Sequence, residues 1–241
     1  MKKRRIFRNL NDKEFAWVLY DVGNSAYTML ACALIPIWFK AMAIGTKPGQ
    51  LTSDRATAYY SMAIAVITIV VALLGPVCGA ISDYKGMKKI FFTSTVAVGV
   101  CGCILNGFAC QWIVFLLLFA VTKIFYNMSL MFYDSMLNDI TTEERMDEVS
   151  SYGYAWGYLG SCIPFLIALV AYVLGPDMAG IISGSLSMAI GFAVTGFWWL
   201  LVTVPLIKNY KQINYVEKKE HAVRSAFRRI FETIRFIATK D

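Results

Sequence analysis

Apolar residues run through this chain in long blocks, broken by short polar connections. Six blocks reach the length of a spanning helix: 16–39, 59–81, 90–109, 112–137, 154–174 and 181–207. About 20 helical residues at 1.5 Å each cross the roughly 30 Å of bilayer hydrocarbon. Each block is therefore expected to be one transmembrane helix. The first is too long for a signal-peptide core and carries Asp21 inside, so it reads as a span. The connection 138–151 is polar. Its T-T-E-E-R-M-D-E run is expected to be solvated and partly helical, with Thr141 or Thr142 as N-cap. In 208–241 the pattern changes. Val223, Phe227, Ile230, Phe231, Ile234 and Ile237 recur at helical spacing, with Arg224, Arg228, Arg229 and Arg235 between them. That stretch reads as a basic amphipathic helix on the inner membrane surface, a lipid-bound linker too charged to span.

Composition agrees with the pattern. The chain has 241 residues, 58% hydrophobic and only 16% charged, where soluble domains carry about 25% charged residues. The net charge of +7 is distributed by side. Lys2, Lys3, Arg4, Arg5, Arg8 and Lys13 precede the first block, and Lys85, Lys88 and Lys89 follow the second. Arg145 follows the fourth block, and nine more bases lie in 208–241. Lys47 and Arg55 alone fall on the other side. This bias predicts both ends in the cytoplasm of a plasma (inner) membrane, and it explains the basic excess without nucleic acid. Cys32, Cys78, Cys101, Cys103, Cys110 and Cys162 form no C-x-x-C pair, and His221 is the only histidine. The cysteines read as small apolar packing residues, and no metal site or cofactor is expected.

Charge inside a span is costly and marks candidate chemistry. On the first span Asp21, Asn24, Ser25 and Thr28 fall at i, i+3, i+4 and i+7, on one face. On the fourth, Lys123, Asn127, Asp134 and Asn138 share a face interrupted by Leu130 and Met131. Two polar stripes suggest two walls of a water-filled solute path. Asp21 and Asp134 would lie near the cytoplasmic end and act as gates. Lys123, about 16 Å along the helix from Asp134, would meet an anionic group, exchange a coupling proton, or close an internal ion pair. The third and sixth spans carry no such stripe and are expected to face lipid. Gly75 and Gly79, then Gly153, Gly157 and Gly160, then Gly180 and Gly184, are spaced for close helix packing. Catalysis finds no support: no Ser/His/Asp set, phosphate loop or paired histidine occurs.

Behind the second block, 79–89 reads G-A-I-S-D-Y-K-G-M-K-K. It resembles the signature loop of the major facilitator superfamily, G-x-x-x-D-x-x-G-x-[RK]-[RK], through Gly79, Asp83, Gly86, Lys88 and Lys89. Tyr84 stands where many members carry Arg or Lys. Tyr20, Asp21, Asn24, Ser25, Ala26 and Tyr27 match the first-helix pattern Y-D-x-x-N-S-A-[YF] of the vacuole-effluxer-like branch, with Val22-Gly23 in place of a frequent Trp-Ala. F-Y-D-S-M-L at 132–137 and S-S-Y-G-Y-A-W-G-Y-L-G-S at 150–161 are similar to the same branch.

The resemblance implies an all-α membrane protein. Its six helices, 1–207, would form one half of a twelve-helix fold built as a 3+3 inverted repeat. The segment 208–241 would lead to a second six-helix bundle, from the same gene or a separate chain. It implies a secondary transporter of a small polar solute working by alternating access, with 79–89 as a conformational gate and a proton as candidate coupling ion. Fungal relatives are associated with amino-acid export from the vacuole, so amino acids are the suggested solute. The competing expectation is a six-helix scaffold or assembly subunit without transport, for which midplane charge has no use.

Overall fold

The computed structural model describes residues 9–176 and 178–217. Six long helices make up the fold: α1 (Asp12–Ala43), α2 (Ser53–Ser82), α3 (Met87–Asn106), α4 (Trp112–Ile140), α5 (Met146–Val173) and α6 (Gly184–Asn209). All six are long and apolar enough to cross a membrane. The β pairing among the described residues is two isolated bridges, Ile44 with Leu51 and Tyr84 with Val216.

Local chemistry sets the ends. Asn11 caps α1, its side chain accepting from the Lys13 and Glu14 amides at 2.9 Å. Glu14 returns a bond from the Asn11 amide at 2.8 Å, closing a capping box. Gly86, at φ 78°, turns the chain from α2 into α3, a left-handed geometry that glycine adopts at little cost. Ser183 caps α6 through the Leu186 amide.

Two boundaries differ from the sequence reading. The polar connection 138–151 is almost entirely helical. α4 runs on to Ile140, a 3-10 turn occupies Glu143–Arg145, and α5 begins at Met146. Hydropathy marks only the hydrocarbon-facing part of a helix, and Asp147 and Glu148 suit the first turn of α5. Thr141 closes α4 and Thr142 precedes the 3-10 turn, without a side-chain cap bond. After α6 the described chain carries no helix through residue 217. The proposed amphipathic stretch, Val223 to Ile237, lies outside the described residues.

The helices pack in a repeating pattern. α1 lies against α5 and α6, α4 lies against α2 and α3, and α3 meets α6. Exchanging the first three helices for the last three reproduces this neighbour list, although no sequence repeat is visible. The interior is aromatic. Tyr27 of α1, Tyr126 of α4 and Trp199 of α6 form a triangle with ring centres 4.9 to 5.7 Å apart. Gly160 lets α1 and α5 close up: a Cβ there would stand 2.4 Å from Val22 Cγ1.

Exposure separates the helices. Nine of the 20 residues of α3 and ten of the 26 of α6 are buried, against five of 30 in α2 and seven of 28 in α5. The most open elements are α2 and α5. The third and sixth helices also present apolar residues outward, Ile90, Val98, Phe197 and Leu201 among them. Cys103 is the cysteine that is buried; Cys32, Cys101, Cys110 and Cys162 are exposed.

Candidate functional site

Polar ties at successive levels hold α1 to α4. Trp17 donates to the Tyr133 carbonyl at 3.1 Å, Tyr20 shares a 2.7 Å bond with Ser129, and the Thr28 and Tyr126 hydroxyls are bonded. The two helices run antiparallel, so 17, 20 and 28 meet 133, 129 and 126 in order. This pairing carries both polar stripes to one seam.

Beside the seam is a cavity of about 310 Å³ between α1, α4 and α5. Asp21, Asn24, Ser25, Thr28 and Asp134 line it, with Trp17, Tyr133, Tyr154 and Tyr158 among its walls. The extended α1 places Asp21 nine residues inside its helix, deeper than the apolar block implied. Asn24 donates to Asp21 Oδ1 at 3.1 Å. Gly153 and Gly157 of α5 leave room for the carboxylate, since Asp21 Oδ2 lies 3.3 and 2.9 Å from where their Cβ atoms would sit. Asp134, Tyr154 and Tyr158 are exposed, so the cavity opens at the bundle surface. A larger hollow of about 730 Å³ sits at the opposite end and has no charged side chain in its lining.

The structure does not bring every candidate to the cavity. Lys123 and Asn127 are outside its lining. The Lys123 ammonium lies over the rings of Tyr126, at 4.6 Å, and Tyr27, at 5.7 Å. Among the described residues no carboxylate lies within 4.0 Å of it. Its charge is met by aromatic faces. Asn138 belongs elsewhere: its carbonyl accepts from the Asn214 side chain at 3.0 Å.

A second cluster occupies the basic end, around the α2–α3 turn. Lys88 is buried despite its charge, with its ammonium 3.9 Å from Asp83, 3.7 Å from Asp139 and 3.3 Å from the Ser135 carbonyl. Asp139 is itself fully buried. It accepts from the Tyr210 hydroxyl at 2.5 Å and from the amides of Ile213 and Asn214 at 3.2 and 2.7 Å. Burial, and then the bond to Asp139, push the Tyr210 hydroxyl above the ordinary tyrosine range. The chain after α6 is thus strapped over the turn, and Val216 donates to the Asp83 carbonyl at 2.9 Å. Lys89 reaches the Tyr210 carbonyl at 3.5 Å. Gly79 meets only Met131 Cε, at 4.0 Å from a built Cβ.

Asp139 and Tyr210 escaped the sequence reading because their partners are distant in the chain. Glu14 escaped it too. It is buried, and it accepts from Thr141 at 2.8 Å and Arg145 at 3.2 Å, joining the start of α1 to the α4–α5 turn. The N-D-K-E at 11–14 is a capping-box signature that marks Glu14 in advance.

Residues 17–238 match the family profile described as Major Facilitator Superfamily. The chain is 35% identical over 235 residues to an uncharacterized MFS-type transporter, YxiO, of Bacillus subtilis (strain 168). That alignment covers 96% of this chain and 54% of the relative, so the chain spans about half the relative's length. No solved structure matches the chain significantly.

Proposed function

The chain belongs to the major facilitator superfamily, and from that premise we propose that it is the N-terminal six-helix half of a secondary transporter. It moves a small polar solute by alternating access. The observation that carries this reading is the cavity, where Asp21, Asn24, Ser25 and Thr28 of α1 meet Asp134 of α4 at an open surface. Polar side chains at hydrocarbon depth need partners or water, and a second bundle across the opening supplies the other wall. The outward apolar faces of α2 and α5 flank that contact. A scaffold without transport has no use for such a cavity.

Further roles follow on the same reading. Asp21 and Asp134 gate the basic end of the path. Lys123 and Asn127 extend it towards the other end, with Lys123 as the group for solute or proton coupling. Gly79, Asp83, Gly86, Lys88 and Lys89 form the gate loop against the second bundle. Residues 1–207 form the bundle and 208–241 the linker, with both ends of the chain on the cytoplasmic face of the plasma membrane. The first-helix match to Tyr20–Tyr27 supports the vacuole-effluxer-like branch.

The test is reconstitution. Vesicles holding the chain with a C-terminal six-helix half, as one polypeptide or two, are expected to move solute. Vesicles holding the monomeric chain are expected to be silent. Flux through a strictly monomeric preparation would defeat the half-transporter reading.

A further inference from the structure

We propose that the Asp21–Asp134 cavity binds a small organic cation, a solute whose positive end is an ammonium group. The proposal deepens the transport reading, since it rests on the cavity being the solute path. Both charged side chains in the lining are carboxylates, and among the described residues no Lys, Arg or His accompanies them. A pocket of that sign favours a cation.

The walls fit the same ligand. Trp17 and Tyr133 stack on each other with ring centres 4.3 Å apart, and Tyr133 also packs on Tyr20 at 4.6 Å, so they close the apolar back of the cavity. Tyr154 and Tyr158, both exposed, stand on the α5 side. Aromatic faces attract ammonium groups, more strongly where water is excluded. Carboxylates beside aromatic rings supply attraction from two sources.

An independent observation points to a ligand. Tyr133 is 3% exposed, and among the described residues its hydroxyl has no hydrogen-bond partner. That hydroxyl lies 3.6 Å from the Cβ position of Gly153, while Asp21 Oδ2 lies 3.3 Å from the same point. The hydroxyl and the carboxylate therefore border the same space left by Gly153 on the α5 side. An ammonium N–H held by Asp21 gives its oxygen a donor. A buried polar group without a partner is costly, so ligand binding relieves that cost.

Charge also sorts the alternatives. An anion would meet two like charges. A zwitterion with ammonium and carboxylate on one carbon would bring a third carboxylate to the pair. Lys123 is no remedy, because eleven helical residues place it about 16 Å from Asp134. Its ammonium is committed to the Tyr126 and Tyr27 rings.

The experiment uses the full-length protein, with calorimetric binding and vesicle flux measured in parallel. The probes are choline, its uncharged isostere with carbon replacing nitrogen, glycine betaine and ethanolamine. Choline and ethanolamine are expected to bind at least tenfold more tightly than the neutral isostere or the betaine. Asp21→Asn and Asp134→Asn should each weaken both cations at least tenfold. Tyr133→Phe should weaken ethanolamine severalfold and leave choline, which has no N–H, unchanged. Absence of cation binding, equal binding of the isostere, or full cation affinity in both Asp variants would overturn the proposal. Flux of a zwitterion or anion without cation binding leaves the transporter reading standing and removes this one. Cation binding without any flux does the reverse.

Discussion

The Lys88 ammonium stands 3.7 Å from the buried carboxylate of Asp139, across the gap between the start of α3 and the end of α4. The pair sits under the signature loop, and the sequence pattern identifies only one of its members. Breaking a buried pair by removing one partner costs about 3–5 kcal/mol, because the other charge is left uncompensated. Lys88→Met should fall near the lower limit, since Tyr210, Ile213 and Asn214 still donate to Asp139. Adding Asp139→Asn should recover part of that loss. Denaturation in detergent decides it: a double variant as unstable as the sum of the two singles would show that the pair is not coupled.

Tyr210→Phe removes the hydroxyl that donates to Asp139 and should cost about 1.5–3 kcal/mol, the range for a bond to a charged acceptor. Burial and this bond raise the folded pKa of the hydroxyl. The stabilisation is therefore complete below the unfolded value, about 10, and fades only as pH rises through the higher folded one. The penalty of the variant should be equal at pH 6 and pH 9, within experimental error and on the order of 0.3 kcal/mol. A penalty that shrinks by pH 9 would mean that the hydroxyl ionises early.

Lys123→Met should leave a stable bundle. The ammonium rests on two tyrosine rings, an arrangement worth about 0.5–2 kcal/mol, and no neighbouring carboxylate within 4.0 Å is stranded among the described residues. Transport by the full-length variant should be lost if Lys123 couples solute or proton. Wild-type flux in a stable variant would remove the residue from the mechanism.

Two glycines should respond in opposite ways. Gly160→Ala drives a methyl to within 2.4 Å of Val22 and should cost about 1–3 kcal/mol by overpacking. Gly79→Ala has 4.0 Å of space and should leave the stability of the bundle unchanged. If Gly79 faces a second bundle, its variant loses flux while keeping the melting behaviour of the parent. A Gly79 variant that unfolds would place its role inside these six helices.

Sidedness is read best from exposed positions. Lys85 and Lys47 are exposed, whereas Lys88 is buried and unsuitable for labelling. Single cysteines replacing Lys85 and Lys47, in a Cys-free background, should react with an impermeant thiol reagent from opposite faces. Labelling of position 85 from outside intact cells would invert the proposed topology.

The legible part of this protein was its apolar grammar. Blocks of hydrocarbon located all six helices, and Asp21, Asn24, Ser25 and Thr28 fell on one wall of a cavity because 3.6-residue periodicity is local. Asp134 joined them through the register of α1 against α4. What failed was of two kinds. Hydropathy stops where lipid stops, so it marks the stretch around Met146 only as a partly helical connection, not as the start of α5. Burial by tertiary contact leaves no local mark, so in the sequence Asp139 is one more acid of the polar connection 138–151. Its neighbours Lys88, Tyr210 and Asn214 are placed there by the fold alone. The orphan hydroxyl of Tyr133 was hidden for the same reason.

The strap from Tyr210 to Val216 has a mechanical consequence. Seven residues past the last turn of α6 the chain is still held, because Val216 is bonded to the Asp83 carbonyl beside the α2–α3 turn. A displacement at the end of α6 is therefore delivered to Asp83, so a movement of the sixth helix and a shift of the α2–α3 turn become one displacement.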